Sequence, residues 1–254
     1  MKRWLVLSYG LFSYLLFLAV FLYAICFIGN IGIPNSLDAE PSSNLGFALA
    51  INGLLLALFA VQHSLMARPF FKKWLTRSIP KAAERSTYVL ASNLAMIALF
   101  AFWQPIGMTV WNLSNPYAVT ALYSVFFAGW GLVFISTVWL NHFDIFGVRQ
   151  VWLYFRKKEY TSLRFEMPGL YKYIRHPLYV GWFLVFWGTP TMTAGHLFFA
   201  VMTTCYILIA VRLEEKDLVD EHGSDYLSYR NEVPMFIPKM KTSNQVEFAD
   251  RHLT

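Results

Sequence analysis

The sequence predicts an all-α integral membrane protein: four full spans, a C-terminal transmembrane or re-entrant helical hairpin, and a cytosolic helical extension. Three observations lead there. Of 254 residues, 57% are hydrophobic and only 14% charged, whereas soluble chains carry roughly 25% charged residues. Too little polar surface remains to clothe a water-soluble body. Second, apolar runs of spanning length recur along the chain. Third, the basic residues fall in four islands, with no Lys or Arg between Arg3 and Arg68, Arg85 and Arg149, or Arg175 and Arg212. Such segregation is the positive-inside pattern of membrane proteins. It also removes the nucleic-acid reading that a net charge of +6 would otherwise invite.

A spanning helix needs about 20 mostly apolar residues, and residues 4–28, 46–66, 88–109 and 117–140 meet that length. With the N-terminus inside, alternate ends of these runs land in basic islands. The first run is too long for a signal-peptide core and is read as retained. Residues 30–43, rich in Gly, Pro, Asn and Ser and bearing Asp38 and Glu40, form an external loop, as do the uncharged residues 112–116. Asn52 and Asn93 lie within spans and are expected to bond between helices. Residues 178–211 are apolar but broken at Gly188-Thr189-Pro190 and at Gly195. The first piece rises only about 17 Å as a helix, so it spans only by starting near Tyr171. Otherwise it is a broken, protein-supported segment. Either way the chain returns inside. Gly223 then stops a helix, Ser224 is placed to cap the next, and Val233-Pro234 and Ile237-Pro238 end it. Residues 1–240 thus make one membrane domain, followed by a polar tail over 241–254. Cys26 and Cys205 stand alone in apolar segments, so neither a disulfide framework nor a metal is expected.

Polar groups near spans are expensive and tend to be functional. One cluster is Asn141-His142-Phe143-Asp144 with Gly147, Arg149 and Gln150, where Asp144 is placed to set an imidazole tautomer. Gln62-His63-Ser64 with Arg68 closes the second span on the same side. An interfacial histidine and a snorkelling arginine also need no chemistry. Further on, Arg175 and His176 directly precede Pro177, which suits a first helical turn. A helix start flanked by basic groups is an anion site, fit for a carboxylate or phosphate. Glu214 and Glu215 stand where the last apolar run leaves the membrane, and Tyr226 and Tyr229 share a helix face.

Taken together, Arg175-His-Pro-Leu-Tyr-Val-Gly181, the apolar hairpin, Glu214-Glu215, Gly223-x-x-Tyr226-x-x-Tyr229 and Val233-Pro234 resemble the isoprenylcysteine carboxyl methyltransferase superfamily of membrane methyltransferases. That resemblance covers residues 169–238. More narrowly, the segments Asn141 to Gln150 and Phe186 to His196, with Gln62-His63-Ser64, are similar to the bacterial methanethiol S-methyltransferases. Nurim-like and nitrite/nitric-oxide-associated membrane proteins share parts of the pattern.

The resemblance implies S-adenosylmethionine in a pocket open to the cytosol. Tyr173, Arg175, His176, Tyr179 and Gly181 would line it, with Arg175 and His176 on the donor's carboxylate. Glu214 and Glu215 would face its ribose, amino group or sulfonium, and Tyr226 and Tyr229 would close over it. The implied reaction is S-methylation of a small thiol, methanethiol to dimethyl sulfide, by an enzyme embedded in lipid. A bacterial inner membrane with both termini cytosolic is the expected setting. A thiol is mostly protonated at neutral pH, so a base is needed. His142 oriented by Asp144 is the first candidate and His63 the second, with Arg149 available to steady a thiolate. Competing acceptors are a prenylcysteine carboxylate or a phospholipid. A sterol-reductase-like oxidoreductase ranks lower, since beyond Arg175 no basic set for a nicotinamide 2′-phosphate is evident.

Overall fold

The computed structural model describes residues 2–41, 43–163 and 166–238, so the expected polar tail lies outside the described residues. In chain order the helices are α1 (Arg3–Gly29), α2 (Leu45–Ala67), α3 (Pro69–Leu75) and α4 (Glu84–Phe102). Strand β1 (Thr109–Asn112) follows, then α5 (Pro116–Trp139), α6 (His142–Ile145), α7 (Val148–Phe155) and α8 (Pro177–Trp187). Strand β2 (Thr191–Thr193), α9 (Ala194–His222) and α10 (Ser224–Glu232) complete the order. Five helices are long and apolar enough to cross a bilayer: α1, α2, α4 with the short turn before it, α5 and α9. The chain is an all-α membrane protein.

Local chemistry sets the boundaries. Asn44 caps α2 through a bond from Phe47 N, and Asn115 caps α5 through bonds from Tyr117 N and Ala118 N, with Pro116 in the first turn. Both follow the preference for a side-chain acceptor at a helix start. Asn30 ends α1 in the left-handed region at φ 55°. The span expected to reach residue 109 stops at Phe102 instead, since Pro105 cannot continue a helix and restricts the residue before it. Ser224 does not act as a cap: Gly223, at φ 59°, occupies that position and Ser224 is already helical.

Helix α4 packs on α1 and α2, α7 on α1, and α8 on α5. The asparagines join elements as expected. Asn52 exchanges two hydrogen bonds with the Gln104 backbone, and Asn93 donates to Ser13 O. The α5–α8 contact is close because Gly129 and Gly181 face each other. A Cβ on Gly181 would come within 2.9 Å of Gly129 O, and one on Gly129 within 2.8 Å of Gly181 O. Small residues permit this backbone-to-backbone approach between membrane helices.

Of the two alternatives for the hairpin, the broken one is present. Helix α8 begins at Pro177 and has 11 residues, a rise of about 16 Å against a hydrocarbon layer of about 30 Å. Extended chain follows, in which β2 pairs antiparallel with β1, an addition to the all-helical expectation. Extended backbone is tolerated at membrane depth only where protein satisfies it, and here it does. Phe186 O faces His196 Nε2, while Thr189 O, Pro190 O and Thr191 O accept from Trp111 Nε1, Leu113 N and Thr189 Oγ1. The loop after α1 seals the same end. Asp38 bonds Asn30 at 2.6 Å, Thr193 Oγ1 at 2.5 Å and His196 Nδ1 at 2.8 Å, with His196 wholly buried.

Candidate active site

The start of α8 is held in place by the chain that follows α10. Arg175 N donates to Pro234 O at 2.9 Å and His176 N to Met235 O at 3.1 Å. Arg175 Nε donates to Glu215 Oε1 at 2.7 Å, and its Nη1 reaches Arg230 O at 2.9 Å and Val233 O at 2.5 Å. His176 Nε2 meets the same Glu215 oxygen at 3.0 Å. Tyr179 donates to Glu214 Oε2 at 2.7 Å, and Tyr229 to Tyr171 O at 2.7 Å. Tyr226, buried, stacks edge-on to Tyr229 with ring centres 5.8 Å apart. Arg175, His176, Tyr179, Glu214, Glu215, Tyr226 and Tyr229 are therefore brought together by α8, α9 and α10. Gly181 turns toward α5 instead, and Tyr173 is exposed.

The charges in this cluster are unevenly matched. The anion site expected at Arg175 and His176 is filled by the protein's own Glu215. Glu214 has no cation at ion-pair distance among the described residues. Its neighbour is the Tyr179 phenol, which donates to Oε2. Burial, with Glu214 and Tyr229 alongside, pushes the Tyr171 phenol up, and burial with Glu215 nearby does the same to Tyr226. These hydroxyls stay protonated, leaving one unmatched carboxylate among aromatic groups. Such a setting attracts a cation, through the charge and through the ring quadrupoles.

His63 lies on α2, which meets α9 through the Ser64–Tyr206 and Arg68–Asp217 contacts. The Tyr88 hydroxyl lies 2.7 Å from His63 Nε2 and 3.1 Å from Nδ1, Ser92 Oγ also meets Nδ1 at 3.1 Å, and Phe59 stacks on the ring at 5.1 Å. Ser64 and Tyr206 share a hydrogen bond of 3.1 Å, and Arg68 pairs with Asp217 at 2.8 Å.

His142 occupies a different place. Its Nε2 meets Tyr14 hydroxyl at 2.9 Å and its Nδ1 meets Thr137 Oγ1 at 2.8 Å. Phe17, Phe134, Phe143 and Phe146 surround the ring. A cleft of about 550 Å³ opens over it, bounded also by Trp139, Leu163 and Glu166. Burial pushes the imidazole below the ordinary histidine range. The expected pairing of His142 with Asp144 is absent. Asp144 is taken by Arg149 at 2.8 Å and by Tyr160 at 3.2 Å, because the single turn of α6 carries the two side chains to different sides. Arg149 is accordingly engaged with Asp144 and with Thr161 O. Helix α5 separates this cleft from the first cluster: Thr137 bonds His142, while its neighbour Ser136 lies against Tyr171.

A family model described as "Protein of unknown function (DUF1295)" matches residues 75–233. The Methanethiol S-methyltransferase of Crocosphaera subtropica is 56% identical over 238 residues, 94% of this chain and 93% of the relative. That of Mycobacterium tuberculosis is 45% identical over 238 residues, 94% of this chain and 98% of the relative. The chain belongs to the methanethiol S-methyltransferase family. Nurim of Xenopus laevis is a more distant relative, 30% identical over 175 residues, 64% of this chain and 60% of the relative. No solved structure matches.

Within this methyltransferase-family fold, several polar side chains at the sites were not singled out from sequence. Tyr88, Ser92 and Tyr206 join the His63 group; Tyr14 and Thr137 hold His142. A signal existed for one pair. Tyr88 and Ser92 are four apart on α4, hence on one helix face, but hydroxyls inside apolar runs are common enough to pass unnoticed.

Proposed function

We propose that this protein methylates the sulfur of a small thiol, with S-adenosylmethionine as donor and methanethiol giving dimethyl sulfide. The unmatched Glu214 carboxylate among tyrosines is the observation that carries the donor assignment, since it suits a cationic sulfonium. The family relatives named for methanethiol support the acceptor. When bound, the donor would supply an electrophilic methyl group for transfer to the acceptor's sulfur.

The chain's own residues do the rest. Glu214 and Tyr179 would hold the positive charge, and Tyr226 and Tyr229 would close over the donor with Tyr173 at the rim. Glu215 fixes Arg175 and His176 at the start of α8. Gly181 lets α8 press against α5 and so positions the start of α8. A thiolate and a sulfonium become two neutral thioethers, so an apolar chamber that holds the reactants in line favours the transfer. Proton removal falls to a buried imidazole, His63 or His142, while Asp144 and Arg149 brace the chain end beside the latter. The basic islands support an orientation with both termini cytosolic, and the bacterial relatives support an inner membrane location.

The test is direct. Membranes carrying the protein are incubated with S-adenosylmethionine and methanethiol, and headspace dimethyl sulfide is measured. Methylation of a prenylcysteine or a phospholipid, with no dimethyl sulfide, would overturn the assignment.

A further inference from the structure

Helix α3 (Pro69–Leu75) follows α2 after one extended residue, Arg68 at ψ 143°. Thr76 Oγ1 closes it by donating to Lys72 O at 2.8 Å. None of its residues is buried. Phe70 and Trp74, four apart and so on one helix face, are 62% and 59% exposed, and the Phe71 ring centre lies 5.1 Å from that of Trp74. Lys72 and Lys73 occupy the rest of the circumference, and Arg77 follows one turn after Lys73. A helix this short is marginal in water by itself, so its aromatic face needs cover that the protein does not supply.

Charge says what that cover is. From Arg68 to Lys81 the chain carries Arg68, Lys72, Lys73, Arg77 and Lys81 but no Asp or Glu. Arg68 is engaged with Asp217, whereas Lys72, Lys73 and Arg77 have no ion pair among the described residues. The same end of the bundle holds a second edge of this kind. Val6 of α1, Ala83 in the turn before α4 and Val151 of α7 pack together, which brings the starts of α1 and α4 and the whole of α7 to one end. There Trp152 and Phe155 are exposed with ring centres 6.0 Å apart, the Arg156 guanidinium lies over the Trp152 ring at 5.7 Å, and Lys157 and Lys158 follow. Exposed aromatic rings beside basic side chains mark the boundary between hydrocarbon and headgroups.

We propose that α3 lies in the plane of the headgroup layer, with Phe70, Phe71 and Trp74 in the acyl boundary and Lys72, Lys73 and Arg77 on the phosphates of anionic phospholipid. The proposal does not depend on the reaction read above. Three cations without internal partners favour a headgroup of net negative charge, such as that of phosphatidylglycerol, over zwitterionic phosphatidylcholine. The rings select a lipid rather than a free phosphate. A soluble anion would satisfy the lysines and leave Phe70 and Trp74 in water, whereas a bilayer surface covers both faces of the helix. Helix α3 thereby ties the end of α2 to one leaflet.

Full-length protein, stripped of lipid in detergent, is titrated with phosphatidylglycerol or phosphatidylcholine, and bound lipid is counted by native mass spectrometry. In a Lys72→Gln/Lys73→Gln/Arg77→Gln variant the tightest-bound phosphatidylglycerol is expected to lose about 10-fold in affinity and phosphatidylcholine less than about 2-fold, because each basic residue at a membrane surface contributes severalfold. Trp74 reports the depth of α3 without touching the charges. In bilayers of lipid brominated near the ester end of its chains, part of the tryptophan quenching should vanish in Trp74→Phe. Unchanged phosphatidylglycerol affinity in the triple variant, or quenching that Trp74→Phe leaves unaltered, would overturn the proposal. Glycerol phosphate bound as tightly as phosphatidylglycerol would overturn it too, since the residues would then form a site for a free anion.

Discussion

Arg175 and Glu215 form an ion pair of 2.7 Å in which only 9% of each side chain is exposed. His176 shares the same carboxylate oxygen, so one group neutralises the start of α8 and ties it to α9. Glu215→Gln leaves a buried guanidinium unmatched, which costs about 3 kcal/mol. A lower melting temperature in detergent and weaker donor binding are expected together. An unchanged melt would show that the pair is not structural.

Glu214 makes the opposite prediction, for ligand discrimination rather than stability. Its carboxylate has a phenol and, among the described residues, no cation beside it, so Glu214→Gln should weaken the sulfonium donor far more than the demethylated product, which lacks the sulfonium charge. The ratio of the two dissociation constants is expected to shift about tenfold, equivalent to about 1.4 kcal/mol. Titration calorimetry with both ligands measures it, and a parallel loss for both would remove the cation-holding role.

Gly181 tests the helix contact. A methyl group there meets Gly129 O and Val133 N at 2.9 Å, both backbone atoms that cannot swing aside. Gly181→Ala should destabilise the fold by about 1–3 kcal/mol, as overpacking does. Thermal unfolding reads this, and a neutral result would mean that α5 and α8 separate more easily than their spacing implies.

Asp38 gives the pH dependence. Burial alone would raise its pKa, but the hydrogen bond and charge of His196, with bonds from Thr193 and Asn30, hold it below the usual carboxylate range. A depressed carboxylate contributes stability above its unfolded pKa, about 3.9, and loses it as pH falls through the lower folded value. Acid unfolding should therefore steepen below about pH 4, and Asp38→Asn should remove that steepening while lowering stability at neutral pH. Tryptophan fluorescence across an acid series decides between these outcomes.

The long helices were legible because an apolar run of spanning length has few alternatives in a bilayer, whereas the one cap expected, Ser224, is not one. The Arg175 to Tyr229 cluster was legible too, as short polar motifs flanking apolar runs. What escaped were relations between distant segments. Asp144 stands two residues from His142, yet its partner is Arg149. The residues that hold His142, Tyr14 and Thr137, come from other helices. The strand pairing of 109–112 with 191–193 was hidden for the same reason: each strand is too short to declare itself, and pairing exists only once both reach the same end of the bundle.

The eleven-residue α8 has a consequence for biogenesis. A full-length helix enters lipid with its backbone already bonded to itself and can wait there for partners. The stretch from Pro177 to Thr193 cannot, because its extended portion relies on Trp111, Leu113 and His196, and the surrounding seal on Asp38, the last supplied by the loop after α1. The final third of the chain must therefore be threaded against a half-built protein. Fragments cut between α5 and α8 should recombine only when the earlier fragment is inserted first.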